Sequence, residues 1–225
     1  MNSELVILIT GIINNNLIDK LIETYKDINN KIISIYEDTD ANIISKLEIN
    51  NFKVYLNKED KQTNLPQLTC IVNGIKYAKE LGYKYVLRSR TDISSSDFLI
   101  YLNKIEHLYK EKITVICGIN YYSIYILDII VCGNINELSL FYKLQTDLND
   151  KRYIENFLLE TYYDKSGITK EDIKSKINFS LDICKANNIE FYWYRNNNWK
   201  NSRVSIPYMK VINEYCNESF IWTTN

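Results

Sequence analysis

Apolar residues along this chain alternate between short unbroken runs and longer stretches with helical spacing. Leu5 to Thr10 is a continuous, largely β-branched run closed by Gly11, the pattern of a buried strand followed by a turn. From Leu17 to Ile28, the positions Leu17, Ile18, Leu21, Ile22, Tyr25 and Ile28 share one helical face, with Asn16 the expected N-cap. Lys31 to Tyr36 predicts a second strand, and it runs into Glu37-Asp38-Thr39-Asp40. Ile43, Ile44, Leu47 and Ile49 then predict a helix, and Phe52 to Leu56 a short third strand. Leu65, Leu68, Ile71, Val72, Ile75 and Ala78 keep helical spacing over Leu65 to Leu81, with Gly82 where a helix C-terminal glycine belongs. A fourth strand is expected at once, over Tyr83 to Leu87.

Strands that alternate with helices imply βαβ units, an α/β class and a largely parallel sheet. A ligand is then expected at the C-terminal ends of the strands. Further on, the pattern predicts helices over Phe98 to Leu108, Ile135 to Leu148 and Ile154 to Tyr163, and strands over Ile113 to Gly118 and Leu127 to Cys132. Beyond about Asp164 it weakens: Glu171 to Asn187 reads as a helix, Phe191 to Tyr194 as a strand and Asn196 to Arg203 as a polar loop around Trp199. At 225 residues the chain suits one domain, with residues 1–93 and 94–163 as its two halves and 164–225 a small irregular appendage.

Composition narrows the partners. Lys and Arg total 27 against 28 for Asp and Glu, so no broad positive field draws nucleic acid or anionic membrane, and anion binding must be local. No apolar stretch approaches the roughly 18 residues needed to span a bilayer, and no basic region precedes the run from Leu5 to Ile9. A soluble, cytoplasmic protein, with or without peripheral membrane attachment, is the expectation. The five cysteines, at 70, 117, 132, 184 and 216, are widely spaced and mostly inside apolar runs, so they read as reduced core thiols. His107 is the only histidine, which excludes most histidine-based metal sites.

The fourth predicted strand carries the most informative chemistry. Tyr83-Lys-Tyr-Val-Leu-Arg-Ser-Arg-Thr-Asp92 delivers two arginines and a carboxylate at its exit, and strand alternation puts Arg88, Arg90 and Asp92 on one side. Asp92 suits Mn²⁺ or Mg²⁺, hard cations that share oxygen ligands with substrate phosphates. Arg88 and Arg90 suit the charge of a leaving diphosphate. The competing reading has Asp92, or Ser94 to Ser96, capping the next helix, with the aspartate paired to an arginine. After the second strand, Asp38 is the favoured carboxylate for a ribose hydroxyl or base, against a solvated loop with Asp40 or Thr39 as a helix cap. At the end of the first strand Thr10 and Gly11 offer close backbone approach to a base or phosphate, or simply a turn.

Asp128 interrupts an apolar segment, so its carboxyl would be partly desolvated and able to take a proton from an acceptor hydroxyl; a loop aspartate before a strand is the alternative. Glu155, on a mostly apolar helix, competes as the base or is a salt-bridged helix glutamate. The aromatic run Phe191 to Arg195 reads as a core strand or a stacking surface. A Gly-Lys-Ser/Thr phosphate loop, a Gly-x-Gly-x-x-Gly turn and a Gly-x-Ser-x-Gly elbow are all missing from the sequence.

The segment from Gln67 to Ile93, a long helix leading into a strand that ends in Arg88-x-Arg90-x-Asp92, resembles the WavE-type lipopolysaccharide-synthesis glycosyltransferases of the GT-A fold. The resemblance extends over Leu5 to Tyr163 and includes Asp128 to Gly133 and the acidic position Glu155. It implies a GT-A-like (Rossmann-like) mixed, mostly parallel sheet flanked by helices and transfer of a sugar from a nucleotide-diphosphate sugar donor to a glycan, lipid or protein hydroxyl acceptor. Thr10, Gly11, Asp38, Arg88, Arg90 and Asp92 would then bind the donor, Asp92 with a Mn²⁺ or Mg²⁺, while Asp128 or Glu155 serves the acceptor. One departure is plain: Arg90 stands where most GT-A enzymes have the first aspartate of Asp-x-Asp. Donor binding through arginine and one carboxylate, or through a metal, both stay open. So do two other functions, a non-catalytic GT-A domain that binds a glycan or a protein and a nucleotide-binding α/β methyltransferase.

Overall fold

The first apolar run forms β1 (Leu5–Thr10), in which every residue is buried. In the computed structural model of the chain, the described residues are 3–13, 15–58, 66–116, 130–142, 177–189, 191–194 and 203–205. β1 lies between two parallel neighbours, β2 (Lys31–Tyr36) and β4 (Tyr85–Arg90), and β3 (Lys53–Asn57) adds on beyond β2. Across β4 the sheet continues through β7 (Val131–Asn134), β6 (Ile113–Val115) and β8 (Ile177–Phe179), giving the order β3-β2-β1-β4-β7-β6-β8. Among the described residues of this sheet, only β7 runs against the rest, antiparallel to both β4 and β6. The expected α/β, GT-A-like architecture, a mixed and mostly parallel sheet flanked by helices, is therefore present.

The helices divide between the two faces by the handedness of the crossovers. α1 (Ile18–Tyr25) and α2 (Ala41–Ile49) carry the chain outward from β1 to β3 and cover one face. α3 (Pro66–Glu80) carries it back past β2 and β1 to β4, so a right-handed crossover puts it on the opposite face. Two cores result. Ile7, Ile9 and Ile33 pack with α1, α2 and α4 (Phe98–Glu111), whereas Val6, Leu8 and Ile32 pack with α3 and α5 (Ile135–Phe141). Gly74 lets α3 come down onto the sheet, since a Cβ there would lie 2.6 Å from Leu8 Cδ1.

Several boundaries differ from the sequence reading. α1 starts at Ile18 with Leu17 at its N-cap position, which leaves Asn16 one residue too early to cap. β4 runs three residues past Leu87, and its arginines belong to the strand. Of the helix expected over Glu171 to Asn187, the described residues from 177 on form instead a strand, β8, followed by the short α6 (Leu181–Ala186). Pairing with β6, a contact distant in sequence, extends Ile177–Phe179 despite the helical spacing around it. A second, three-stranded sheet joins β5 (Ile93–Ser94) to β9 (Tyr192–Tyr194) and β10 (Arg203–Ser205), and it anchors the chain just after Asp92. Among the described residues no helix is long and apolar enough to cross a membrane.

Candidate functional site

Chain order reverses between β1 and β4, because the path from β1 to β3 runs one way and β4 then pairs on the other side of β1. At such a switch point the loops leave in opposite directions and a crevice opens at the C-terminal strand ends. The strand-end groups singled out above converge here, at Thr10, Gly11, Arg88, Arg90 and Asp92, with Asp38 one strand over. Register places Thr10 opposite Arg90 on β4 and opposite Ser34 on β2.

The floor of this edge is buried and polar. Arg88 and Thr10 have no exposed surface, and Arg88 Nε donates to Thr10 Oγ1 at 3.0 Å. On the opposite face of the sheet, Tyr25 donates its hydroxyl proton to Ser89 Oγ at 2.8 Å, and burial raises the phenol's pKa well above its ordinary value. Ser34 Oγ donates to the Cys70 carbonyl at 2.7 Å, and Asn57 Nδ2 donates to Ser34 Oγ at 2.9 Å. These bonds tie α3 to β2 and β3. Burial pushes the Cys70 thiol up to about 11, so it stays protonated at neutral pH. Arg88 therefore sits beneath the crevice, not in it.

Above the floor, the chain after β1 turns on Gly11. Its φ is +128°, and a Cβ added there would lie 2.8 Å from Thr91 Oγ1. Thr91 N–H donates to the Thr10 carbonyl at 3.1 Å and Thr91 Oγ1 to the Ile12 carbonyl at 2.8 Å. The turns after β1 and β4 are thus laced together, and a side chain at position 11 would prise them apart.

Two features stand on this base. A cavity of about 270 Å³ at the ends of β1 and β2 is lined by Ile12, Ile13, Tyr36, Asp38, Asp40 and Ile43, among others. Asp40 is committed to structure: its carboxylate accepts from Asn42 N–H at 2.8 Å and caps α2. Asp38 is exposed and makes no such bond, so its carboxylate is available to a ligand in the cavity.

The second feature is the rim at the end of β4. Arg90 grips Asp92 in a two-point fork, Nε to Oδ1 and Nη2 to Oδ2, each at 2.8 Å. Both side chains are about one-fifth exposed, at 23% and 18%. Arg90 Nη1 lies 3.4 Å from Gln67 Oε1, at the first turn of α3. The other arm of that amide, Gln67 Nε2, is buried with no hydrogen-bond acceptor. Asp92 does not cap α4; Asp97 occupies that position, and its backbone N–H donates to Ser95 Oγ at 3.0 Å.

Among the described residues, the rim brings no further carboxylate to Asp92 for a divalent cation. Mn²⁺ and Mg²⁺ collect several oxygen donors, whereas both Asp92 oxygens are held by a guanidinium. Among the described residues, no group of three or more His, Cys, Asp or Glu side chains comes together as a ligand set.

Asp128 and Glu155 lie outside the described residues, as do Arg195 and Trp199. Phe191 is buried and stacks edge-on against Tyr101 at 5.1 Å, which makes it core. Sequence reasoning missed Gln67, Tyr36, Ile12 and Ile13. Each reaches the site from a loop or from the end of a strand or helix, where apolar periodicity carries no signal.

No protein-family model and no curated protein matches the chain. Among solved structures, it is similar to a Bacillus anthracis protein assigned as a glucose-1-phosphate thymidylyltransferase, over 78% of this chain and 85% of that one, with 12% identity and a TM-score of 0.49. A 4-diphosphocytidyl-2C-methyl-D-erythritol synthase from Anaerococcus prevotii matches over 80% and 89%, with 13% identity and a TM-score of 0.49. A cytidylyltransferase from Leptospira borgpetersenii matches over 79% and 76%, with 11% identity and a TM-score of 0.47. Likeness at this level says nothing of what this chain does. Its strand order and the residues at its sheet edge have to carry that.

Proposed function

We propose that this chain transfers a glycosyl unit from a nucleotide-diphosphate sugar to an acceptor hydroxyl, with the donor lying across the C-terminal ends of β2, β1 and β4. The observation that carries this reading is one sheet edge holding both a cavity beside Asp38 and a fixed guanidinium at Arg90. β2 and β4 flank β1, so they lie two strand spacings apart, about 10 Å. A nucleoside diphosphate fits that span.

In this arrangement the base packs among Ile12, Ile13, Tyr36 and Ile43, while Asp38 accepts a hydrogen bond from a ribose hydroxyl. The Gly11 turn brings main chain close to the phosphates, and Arg90 meets the diphosphate. Arg88 acts from below by fixing Thr10. On transfer, the bond from the sugar's anomeric carbon to the diphosphate oxygen breaks and a bond to the acceptor oxygen forms. The electron pair leaves on the diphosphate, and the acceptor's proton passes to a carboxylate. Asp128 and Glu155 are the side chains we assign to that last role, on the sequence reading alone.

The test is a thermal-shift panel of nucleoside diphosphates and nucleotide sugars, followed by a turnover assay with the best donor. A ligand at a hundredfold excess over its dissociation constant should stabilise the fold by about 2.7 kcal/mol. If no nucleotide shifts the transition, the transferase reading falls. Binding with neither transfer nor donor hydrolysis would instead favour a non-catalytic binding domain.

A further inference from the structure

We propose that Thr91 is a positioning residue that holds the nucleoside cavity and the rim at the end of β4 at one fixed spacing, so that a ligand spanning both gains from it and a ligand filling the cavity alone does not. The proposal rests on the nucleotide-sugar reading above and adds the device that makes the two halves of that site act together.

The strand carries Thr91 into this place. Arg90 ends β4 opposite Thr10, and the Thr91 N–H extends the same ladder by one bond, to the Thr10 carbonyl at 3.1 Å. The Thr91 side chain is only 5% exposed, and its hydroxyl donates to the Ile12 carbonyl at 2.8 Å. Room for that hydroxyl exists because residue 11 is glycine: a Cβ there would lie 2.8 Å from Thr91 Oγ1. The glycine after β1 and the threonine after β4 are therefore one feature, written in two distant parts of the sequence.

Ile12 needs such an anchor. Its side chain is 84% exposed on the lining of the cavity, so packing does not hold it in place. Gly11, just before it, sits at φ +128° and belongs to the residue type with the most backbone freedom. The Thr91 hydroxyl ties the main chain of this lining residue to the residue that follows Arg90.

Two contact regions reinforce each other on one ligand when the distance between them is set in advance. If the turn bearing Ile12 could shift against β4, the cavity would keep its contacts with a base, and the rim its contacts with phosphate. A ligand that spans both would then have to order the turn as it binds. Loss of the tie should thus fall on the nucleoside diphosphate and spare the nucleoside. A hydroxyl that merely satisfied the Ile12 carbonyl would make no such distinction.

The experiment is calorimetric titration of the full chain with the nucleoside diphosphate that stabilises the fold most, and with the nucleoside of the same base, read by displacement of the diphosphate. Wild type is compared with Thr91→Val, which keeps the shape and removes the hydroxyl, and with Thr91→Ser, which keeps the hydroxyl and removes the methyl group. Thr91→Val should weaken the diphosphate by about fivefold to tenfold, the size of one hydrogen bond, and leave the nucleoside within about twofold. Thr91→Ser should bind both ligands within about twofold of wild type.

Equal weakening of nucleoside and diphosphate in Thr91→Val would overturn the proposal, by showing that the hydroxyl only shapes the cavity. A Thr91→Val protein that melts at a lower temperature with both affinities unchanged would overturn it as well, since the bond would then serve the fold alone. Thr91→Ser behaving like Thr91→Val would do the same, by moving the effect from the hydroxyl to the methyl group. If no nucleotide binds the wild-type chain, the function proposed above fails first and this inference goes with it.

Discussion

Arg88 and Arg90 leave β4 on the same face, two residues apart, yet the regions around them are built in opposite ways. Around Arg88 lies a closed floor, with the guanidinium fully buried beneath α3 and joined to Thr10, itself fully buried. Around Arg90 lies a half-open rim, where the guanidinium pairs with a carboxylate and meets the solvent edge of the crevice. The difference comes from one turn of strand pleat. At position 88 the side chain is fully buried, and at position 90 the strand has reached the first turn of α3, where Gln67 lies. A buried arginine serves the fold, and the arginine at the rim is the one we propose for a ligand.

The sharpest way to break that contrast is to remove the buried arginine. Arg88→Ala leaves a cavity and strips Thr10 of its donor, in a place no water can fill without cost. Losses of about 3–5 kcal/mol are typical when a buried charged network is cut. Urea denaturation should show a fall of that size, with nucleotide affinity of the folded fraction little changed. A variant that kept its stability and lost nucleotide would put Arg88 on the rim.

A smaller loss is expected where floor and rim meet, at Gly11. Gly11→Ala forces a side chain into φ +128° and to within 2.8 Å of Thr91 Oγ1. Such strained backbone costs about 1–3 kcal/mol. Because Thr91 also bonds the Ile12 carbonyl, the displaced turn should disturb the cavity as well as the fold. Thermal denaturation and nucleotide titration should therefore both respond. A stability loss with unchanged affinity would separate this turn from the binding site.

Much of the floor was legible in the sequence, and most of the rim was not. β1, β2 and α3 declare themselves because burial on both faces, or on one helical stripe, demands an apolar period. The exit of β4 hid behind Arg88 and Arg90, since a strand that ends in polar residues looks finished at Leu87. Only the pairing of Thr10 with Arg90, made across the sheet, shows that it continues. β8 was masked in the same way, by helical spacing that its partner β6 overrides. The presence of Arg90 and Asp92 could be read directly, but not their fork. Gln67 gave no signal at all, because its part depends on where the start of α3 lands against β4.

The mildest expected effect tests the far end of the crevice, at Asp38. This carboxylate lies on the exposed lining of the cavity, while its neighbour Asp40 is taken up in capping α2. Asp38→Asn should leave stability within the roughly 0.5 kcal/mol usual for surface substitutions. It should weaken nucleotide binding by about tenfold, near the lower end of the range for a charged hydrogen bond. Asp40→Asn keeps a good capping residue and should alter neither property much. The pair also separates sugar from base. If Asp38 holds a ribose hydroxyl, Asp38→Asn loses discrimination against the 2′-deoxy form of the same diphosphate. A wild-type preference for ribose that survives in Asp38→Asn would move the ribose away from β2 and leave the cavity to some other part of the donor.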